Sequence, residues 1–106
     1  MISKTPKPPY YAVIFTSVRT ESDQEYAAMS ERMIELAEKQ KGFLGVEHAR
    51  EAIGITVSYW QDLESIKHWK HHAEHTHARN RGRSDWYREF KVRIARVERD
   101  YEFEKQ

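Results

Sequence analysis

A chain of 106 residues has room for one two-layer domain and little else. It is 39% hydrophobic, 12% aromatic and 33% charged, with a mean hydropathy of -0.92, so it can build a core but has no run able to span a bilayer. A net charge of +1 gives no general pull toward nucleic acid or an anionic membrane, and neither partner is expected. The absence of cysteine excludes disulfides, a thiol nucleophile and a cysteine zinc site.

Residues 1–9 read as a proline-rich arm, and residues 10–106 as the domain. Pro6, Pro8 and Pro9 remove backbone donors and hold the arm extended. The arm has no apolar run or cleavage site of the secretory type, so a cytoplasmic location is the expectation. Tyr10 to Val18 is rich in β-branched and aromatic residues and predicts a strand, with Tyr11, Val13 and Phe15 on one face and Ala12, Ile14 and Val18 on the other. Ser22 and Glu25 have capping-box spacing, which predicts a helix start. Tyr26, Met29, Met33, Leu36 and Ala37 follow at helical spacing, the methionines read as core filler, and Gly42 supplies a left-handed stop.

Phe43 to Ala49 and Ile53 to Trp60 predict an antiparallel hairpin, with Gly54 marking a bend or a close approach. Strand alternation sends Tyr59 and Trp60 to opposite sides of the sheet. Asp62 is a good N-cap for a second helix, whose inward face is expected to carry Leu63, Ile66, Trp69, Ala73 and His77. A polar connection with Arg79, Arg81, Gly82 and Arg83 ends that helix. Trp86-Tyr87 leads into a last strand through Phe90, Val92 and Ile94, and its apolar phase then shifts toward Val97, Tyr101 and Phe103, which predicts a β-bulge near Ala95-Arg96.

The order strand, helix, strand, strand, helix, strand is the split βαβ pattern, an α+β ferredoxin-like βαββαβ domain. It places a four-stranded antiparallel sheet under two helices on one face. The other face is then left with apolar residues that a soluble monomer rarely exposes, so two copies are expected to pack sheet to sheet as a homodimeric barrel.

Five of the six histidines, His68, His71, His72, His75 and His77, lie within ten residues of the second helix. His68/His72 and His71/His75 have the i, i+4 spacing of shared metal ligands, but no third ligand or orienting group joins them, and no metal site is assigned. Trp69 suits an aromatic wall for a flat ligand, with His72 or His75 near the mouth for proton transfer. Arg81 and Arg83, with Trp86 beside them, form a basic and aromatic patch able to seat an anionic substrate. No dinucleotide fingerprint, phosphate loop or nucleophile elbow is present.

Ser58-Tyr59-Trp60, Asp62, Ile66, Trp69-Lys70, His72, Glu74-His75, Gly82 and Trp86-Tyr87, followed by Arg93 to Arg99, resemble the antibiotic biosynthesis monooxygenase domain family, in particular its small stand-alone bacterial members. The resemblance implies a dimeric α+β barrel with one pocket per subunit between sheet and helices. It implies oxidation of a small aromatic or quinone-like compound by molecular oxygen without metal or flavin. Relatives that cleave haem imply the alternative of haem or another flat anionic ligand, and a non-catalytic dimeric module is a third reading. Carried onto this chain, the resemblance points to Trp69, His75 and His72 as catalytic candidates and to Tyr59, Trp60, Arg81, Arg83 and Trp86 as substrate-binding ones. The family's pocket asparagine has no clear counterpart: the only asparagine is Asn80, and the first strand has Thr16 and Ser17 at the corresponding place.

Overall fold

The computed structural model describes residues 2–21, 25–80 and 86–106, and only the backbone of residues 77–80. Strand β1 (Tyr10–Arg19) is followed by helix α1 (Tyr26–Glu38), the hairpin β2 (Phe43–Arg50) and β3 (Gly54–Trp60), helix α2 (Leu63–Asn80) and strand β4 (Tyr87–Val97). All pairings are antiparallel and the sheet order is β2-β3-β1-β4. Placing β1 in the middle explains why it carries apolar residues on both faces. The result is the ferredoxin-like α+β fold, as the order of elements predicts.

Local chemistry accounts for the helix ends, with one correction. The Ser65 amide donates to Asp62 Oδ1 at 2.8 Å, so Asp62 is the N-cap of α2. Its hydrogen bonds with Ser65, through the hydroxyl first and then the amide, hold its carboxyl below the usual range. Helix α1 begins one residue after Glu25, which sits in the left-handed region at φ 58° and makes no side-chain cap bond. Glu25 is therefore the N-cap position itself and not the third residue of a capping box; Ser22 lies outside the described residues. Gly42 has φ 86°, the expected left-handed turn, and a side chain there would collide with Ser65 of α2. The Gln61 amide donates to the Gly42 carbonyl at 2.8 Å, which ties the end of α1 to the start of α2.

The bulge is also elsewhere than expected. Ala95 and Arg96 pair regularly with Ala12 and Tyr11, whereas the register shifts where Val18 faces Glu89 and Arg19 faces Tyr87, leaving Arg88 as the extra residue. The apolar phase changes after Val97 because the strand ends there: Tyr101 and Phe103 belong to an irregular tail and are 99% and 88% exposed.

Trp60, with 0% exposure, forms the core with Ala37 and Ile66, and Tyr11, Val13, Phe43 and Trp69 pack around it. The face of the sheet away from the helices carries Tyr10, Ala12, Ile14, Ile55, Val57 and Tyr59. The two ends of the chain cover part of it. The Ser3 amide donates to Glu47 Oε2 at 2.9 Å, Thr5 Oγ1 donates to the Tyr10 hydroxyl at 3.0 Å, and that hydroxyl donates to Asp100 of the tail. Gly45 permits the approach, since a side chain there would strike Ser3. Among the described residues no helix is long and apolar enough to cross a membrane.

Tyr59 donates to Glu47 Oε1 at 2.6 Å beneath this arm. Burial, and then the hydrogen bond and negative charge of Glu47, push its hydroxyl up to about 12. A raised acid favours folding while protonated, so this contribution is whole below the ordinary tyrosine value near pH 10 and disappears as the pH rises through about 12. Tyr59→Phe is expected to flatten the loss of stability between those values. Chemical denaturation across that range, with an unchanged slope in the variant, would contradict the assignment.

Candidate functional site

On its helix-facing side β3 presents Gly54, Thr56, Ser58 and Trp60, three small residues and one large one. Helix α2 rests on Trp60 at one end of the strand and stands away from the small residues. The space so left is a cleft of about 1030 Å³ between the sheet and both helices. Val13, Phe15, Thr56, Phe90, Val92 and Ile94 form its floor. Met29, Met33 and Ile34 of α1 face Ile66, Trp69, Lys70, Ala73 and Glu74 of α2 across it, and Trp86 and Tyr87 close one end. The two methionines, expected as core filler, are half-buried and line this cleft because α1 does not settle onto the sheet beneath them.

Trp69 sits where the sequence predicts, on the cleft side of α2. Its ring stacks on Trp60 with centroids 6.0 Å apart and planes 23° apart, and Phe43 meets Trp60 edge-on at 5.5 Å. His72, one turn along, stacks on Trp69 with centroids 5.8 Å apart, although it is exposed. Trp69 is thus held between a buried indole and an imidazole that reaches solvent. His75 is exposed and is not among the cleft residues, and the same holds for His68, His71 and His72, which reaches the cleft only through its stack on Trp69. His48 on β2 is the histidine that lines the cleft among the described residues. Among those residues no three histidine or carboxylate groups gather as a metal would require.

The remaining sequence candidates divide. Trp86 is buried, lines the cleft and meets Tyr26 edge-on at 5.7 Å. Trp60 lies behind Trp69 in the core, with its Nε1 donating to Ser58 Oγ at 2.9 Å, so it supports the wall without lining it. Tyr59 lies on the opposite face of the sheet, occupied with Glu47 and Tyr10, because alternation turns it away from Trp60. Leu63, expected inward, is 55% exposed at the first turn of α2, before the helix reaches the sheet. Arg81 and Arg83 lie outside the described residues, and of Arg79, Asn80 and His77 only the backbone is described.

At the end of the cleft opposite Trp69 the sequence reading named Trp86 but missed the groups beside it. There Tyr26 and Tyr87 share a hydrogen bond and meet edge-on at 5.9 Å, Phe15 lies 5.4 Å from Tyr87, and the Arg19 guanidinium rests 3.5 Å from the Tyr26 ring centroid. Burial, and then the bond to Tyr26, raise the Tyr87 hydroxyl well above the ordinary range, so it stays protonated and able to donate at neutral pH.

Residues 9–81 match the antibiotic biosynthesis monooxygenase family. The chain belongs to that family. It is 55% identical over 105 residues to the uncharacterized protein YqjZ of Bacillus subtilis, covering 97% of this chain and 92% of that one. Its fold is shared with a protein from Shewanella oneidensis at a TM-score of 0.69 and 11% identity, over 91% of this chain and 97% of that chain. A Bacillus cereus protein described as a candidate antibiotic biosynthesis monooxygenase superimposes at a TM-score of 0.57 with 17% identity, over 91% of this chain and the whole of that one. Family membership accounts for the fold.

Because Trp69 bridges Trp60 to the cleft, Trp69→Ala should destabilise the domain by about 2–3 kcal/mol, below the cost at a fully enclosed site since the ring is only half-buried. Trp69→Phe should cost less than half of that. Urea denaturation checks both, and equal stability of all three proteins would deny the stack its structural part.

Proposed function

We propose that this protein is a monooxygenase of the antibiotic biosynthesis type, which oxidises a small aromatic or quinone-like compound with molecular oxygen in the cleft between the sheet and the two helices. The observation that carries this reading is the cleft itself: about 1030 Å³, largely apolar, and walled at one end by Trp69. A space of that size and lining suits a flat organic substrate. Trp69, whose two faces are held by Trp60 and His72, would meet the ring edge-on, a geometry aromatic pairs favour. Proton transfer falls to His72, whose ring touches Trp69 and reaches solvent, with His75 in the next turn as a relay to water. Tyr87 and Trp86 would bound the opposite end.

The chemistry needs an electron-rich substrate. A phenol or hydroquinone that gives up its hydroxyl proton becomes an anion able to react with oxygen directly, so the protein's tasks are to bind the ring, remove the proton and exclude bulk water. The haem reading is less well supported, because it requires a histidine projecting into the cleft, and His75 does not line it. Lacking that ligand, the described residues do not fit an iron porphyrin held through α2.

The active unit is proposed to be a homodimer. Ile55 on the outer face is 45% exposed, and Tyr101 and Phe103 in the tail are almost fully so, which leaves apolar surface for a second copy to cover. Light scattering at low micromolar concentration should give twice the mass of the chain, and a stable monomer would remove this element.

Oxygen consumption tests the main proposal. With a panel of hydroquinones and naphthols, the wild type is expected to take up oxygen above the uncatalysed rate, Trp69→Ala to lose most of that activity, and His72→Ala to lose roughly 10²-fold or more, as is typical for a proton-transfer group. No uptake by the wild type with any member of the panel, or equal uptake by the variants, would overturn it.

A further inference from the structure

We propose that the cleft carries an anion seat at the end away from Trp69, built around Arg50, and that its substrates are aromatic acids. This inference rests on the cleft being a ligand site and adds to it the charge and orientation of the ligand.

The seat is written into one row of the sheet. Arg50, Gly54, Ser17 and Phe90 lie side by side across β2, β3, β1 and β4. Gly54 is buried and has no side chain, so the Arg50 side chain folds across it to donate to Ser17 Oγ. A Cβ at Gly54 would occupy the place of the guanidinium. Ser17 is 1% exposed and is the one buried polar side chain among the described residues; Arg50 is its partner. The guanidinium therefore points along the floor of the cleft, with the Tyr26 ring centroid 5.9 Å away and Arg50 itself among the lining residues.

Among the described residues this cation has no anionic partner: no carboxylate lies within ion-pair reach of Arg50, and the Ser17 hydroxyl is its only hydrogen-bond acceptor. A guanidinium has five N–H donors in a planar fork matched to a carboxylate, so the bond to Ser17 leaves most of its capacity unused. A partly buried charge without a counter-charge is costly, and a bound anion would relieve that cost. The Arg19 guanidinium also lies on the Tyr26 ring, and the hydrogen-bonded Tyr26–Tyr87 pair keeps one hydroxyl proton to donate. The acidic residues of the lining, Glu31 and Glu74, are both exposed and sit on the helices, away from the sheet row that holds Arg50.

The seven residues of β3 run from Gly54 at the seat to Trp60 beneath Trp69, a span of roughly 20 Å. Phe15, Phe90 and Tyr87 line the stretch beside the seat, with Phe15 and Phe90 stacked at 5.3 Å. A ligand with its carboxylate on Arg50 lays its rings over these side chains and points its far end toward Trp69 and His72. An extended polycyclic acid fits this layout better than a single neutral ring.

The test compares 2-naphthoate with 2-naphthamide, which has the same shape and no charge, by following backbone amide shifts during titration. Wild-type protein is expected to bind naphthoate at least roughly tenfold more tightly than naphthamide, the gain expected for charge-assisted bonds. Arg50→Gln should abolish that preference while holding naphthamide affinity within about twofold, which also reports that the variant is folded. Gly54→Ala, which keeps the charge but displaces the guanidinium, should lose the preference too, and it serves if Arg50→Gln does not fold. Equal binding of the two ligands to wild type, or a preference that survives either substitution, overturns the anion seat and leaves the aromatic cleft standing. Failure of both ligands to shift any cleft residue overturns the cleft reading and this inference together.

Discussion

Trp60 sets the distance between the sheet and α2. Its indole has no exposed surface, stacks on Trp69 and is met edge-on by Phe43, so the helix cannot approach further at that end. The residues that share its face of β3 are Ser58, Thr56 and Gly54, each too small to fill the gap that the indole props open. A sheet face would ordinarily bury its large apolar side chains under the helices. Here β3 turns Ile55, Val57 and Tyr59 the other way, and the cleft is the consequence. Packing density is given up along this part of β3.

The two ends of that cleft differ in kind. At the Trp69 end the groups are stacked rings with an exposed histidine at the margin. At the Tyr26 end, guanidinium groups sit against tyrosine rings and buried hydroxyls. This polarity comes from strand geometry, because Arg50 and Gly54 flank the hairpin turn and Trp60 lies at the far end of the same strand. Chain ends stabilise the opposite face of the sheet, where Ser3, Thr5 and Asp100 converge on Tyr10, Glu47 and Tyr59.

Much of the fold was legible in the sequence, since period-two and helical spacing, Asp62 and Gly42 all act locally. Strand alternation also separated Tyr59 from Trp60 correctly. Errors arose where tertiary context decides. The apolar run beyond Ile94 reads as a bulge, but Val97 pairs regularly with Tyr10 on the outer face and the strand ends after it, while the irregularities at Arg88 and at Leu44 leave no mark in the pattern. Trp69 was recognisable as inward, yet its contact with His72 depends on ring orientations that helical angles do not fix. The strand expected to end at Ala49 runs one residue further and takes in Arg50. The signal available was its position opposite Gly54 in the hairpin, which pairs a long cation with a residue that has no side chain to obstruct it.

The central claim is that the helix-facing cleft, and not the outer face of the sheet, receives the ligand. The three tryptophan indole N–H resonances and the backbone amides of Ile55 and Tyr59, followed while 2-naphthol is titrated into the protein, test it most directly. The account predicts large shifts for Trp69 and Trp86, a small one for Trp60 behind the wall, and none at Ile55 or Tyr59. Shifts confined to Ile55 and Tyr59 with Trp69 unmoved would contradict it.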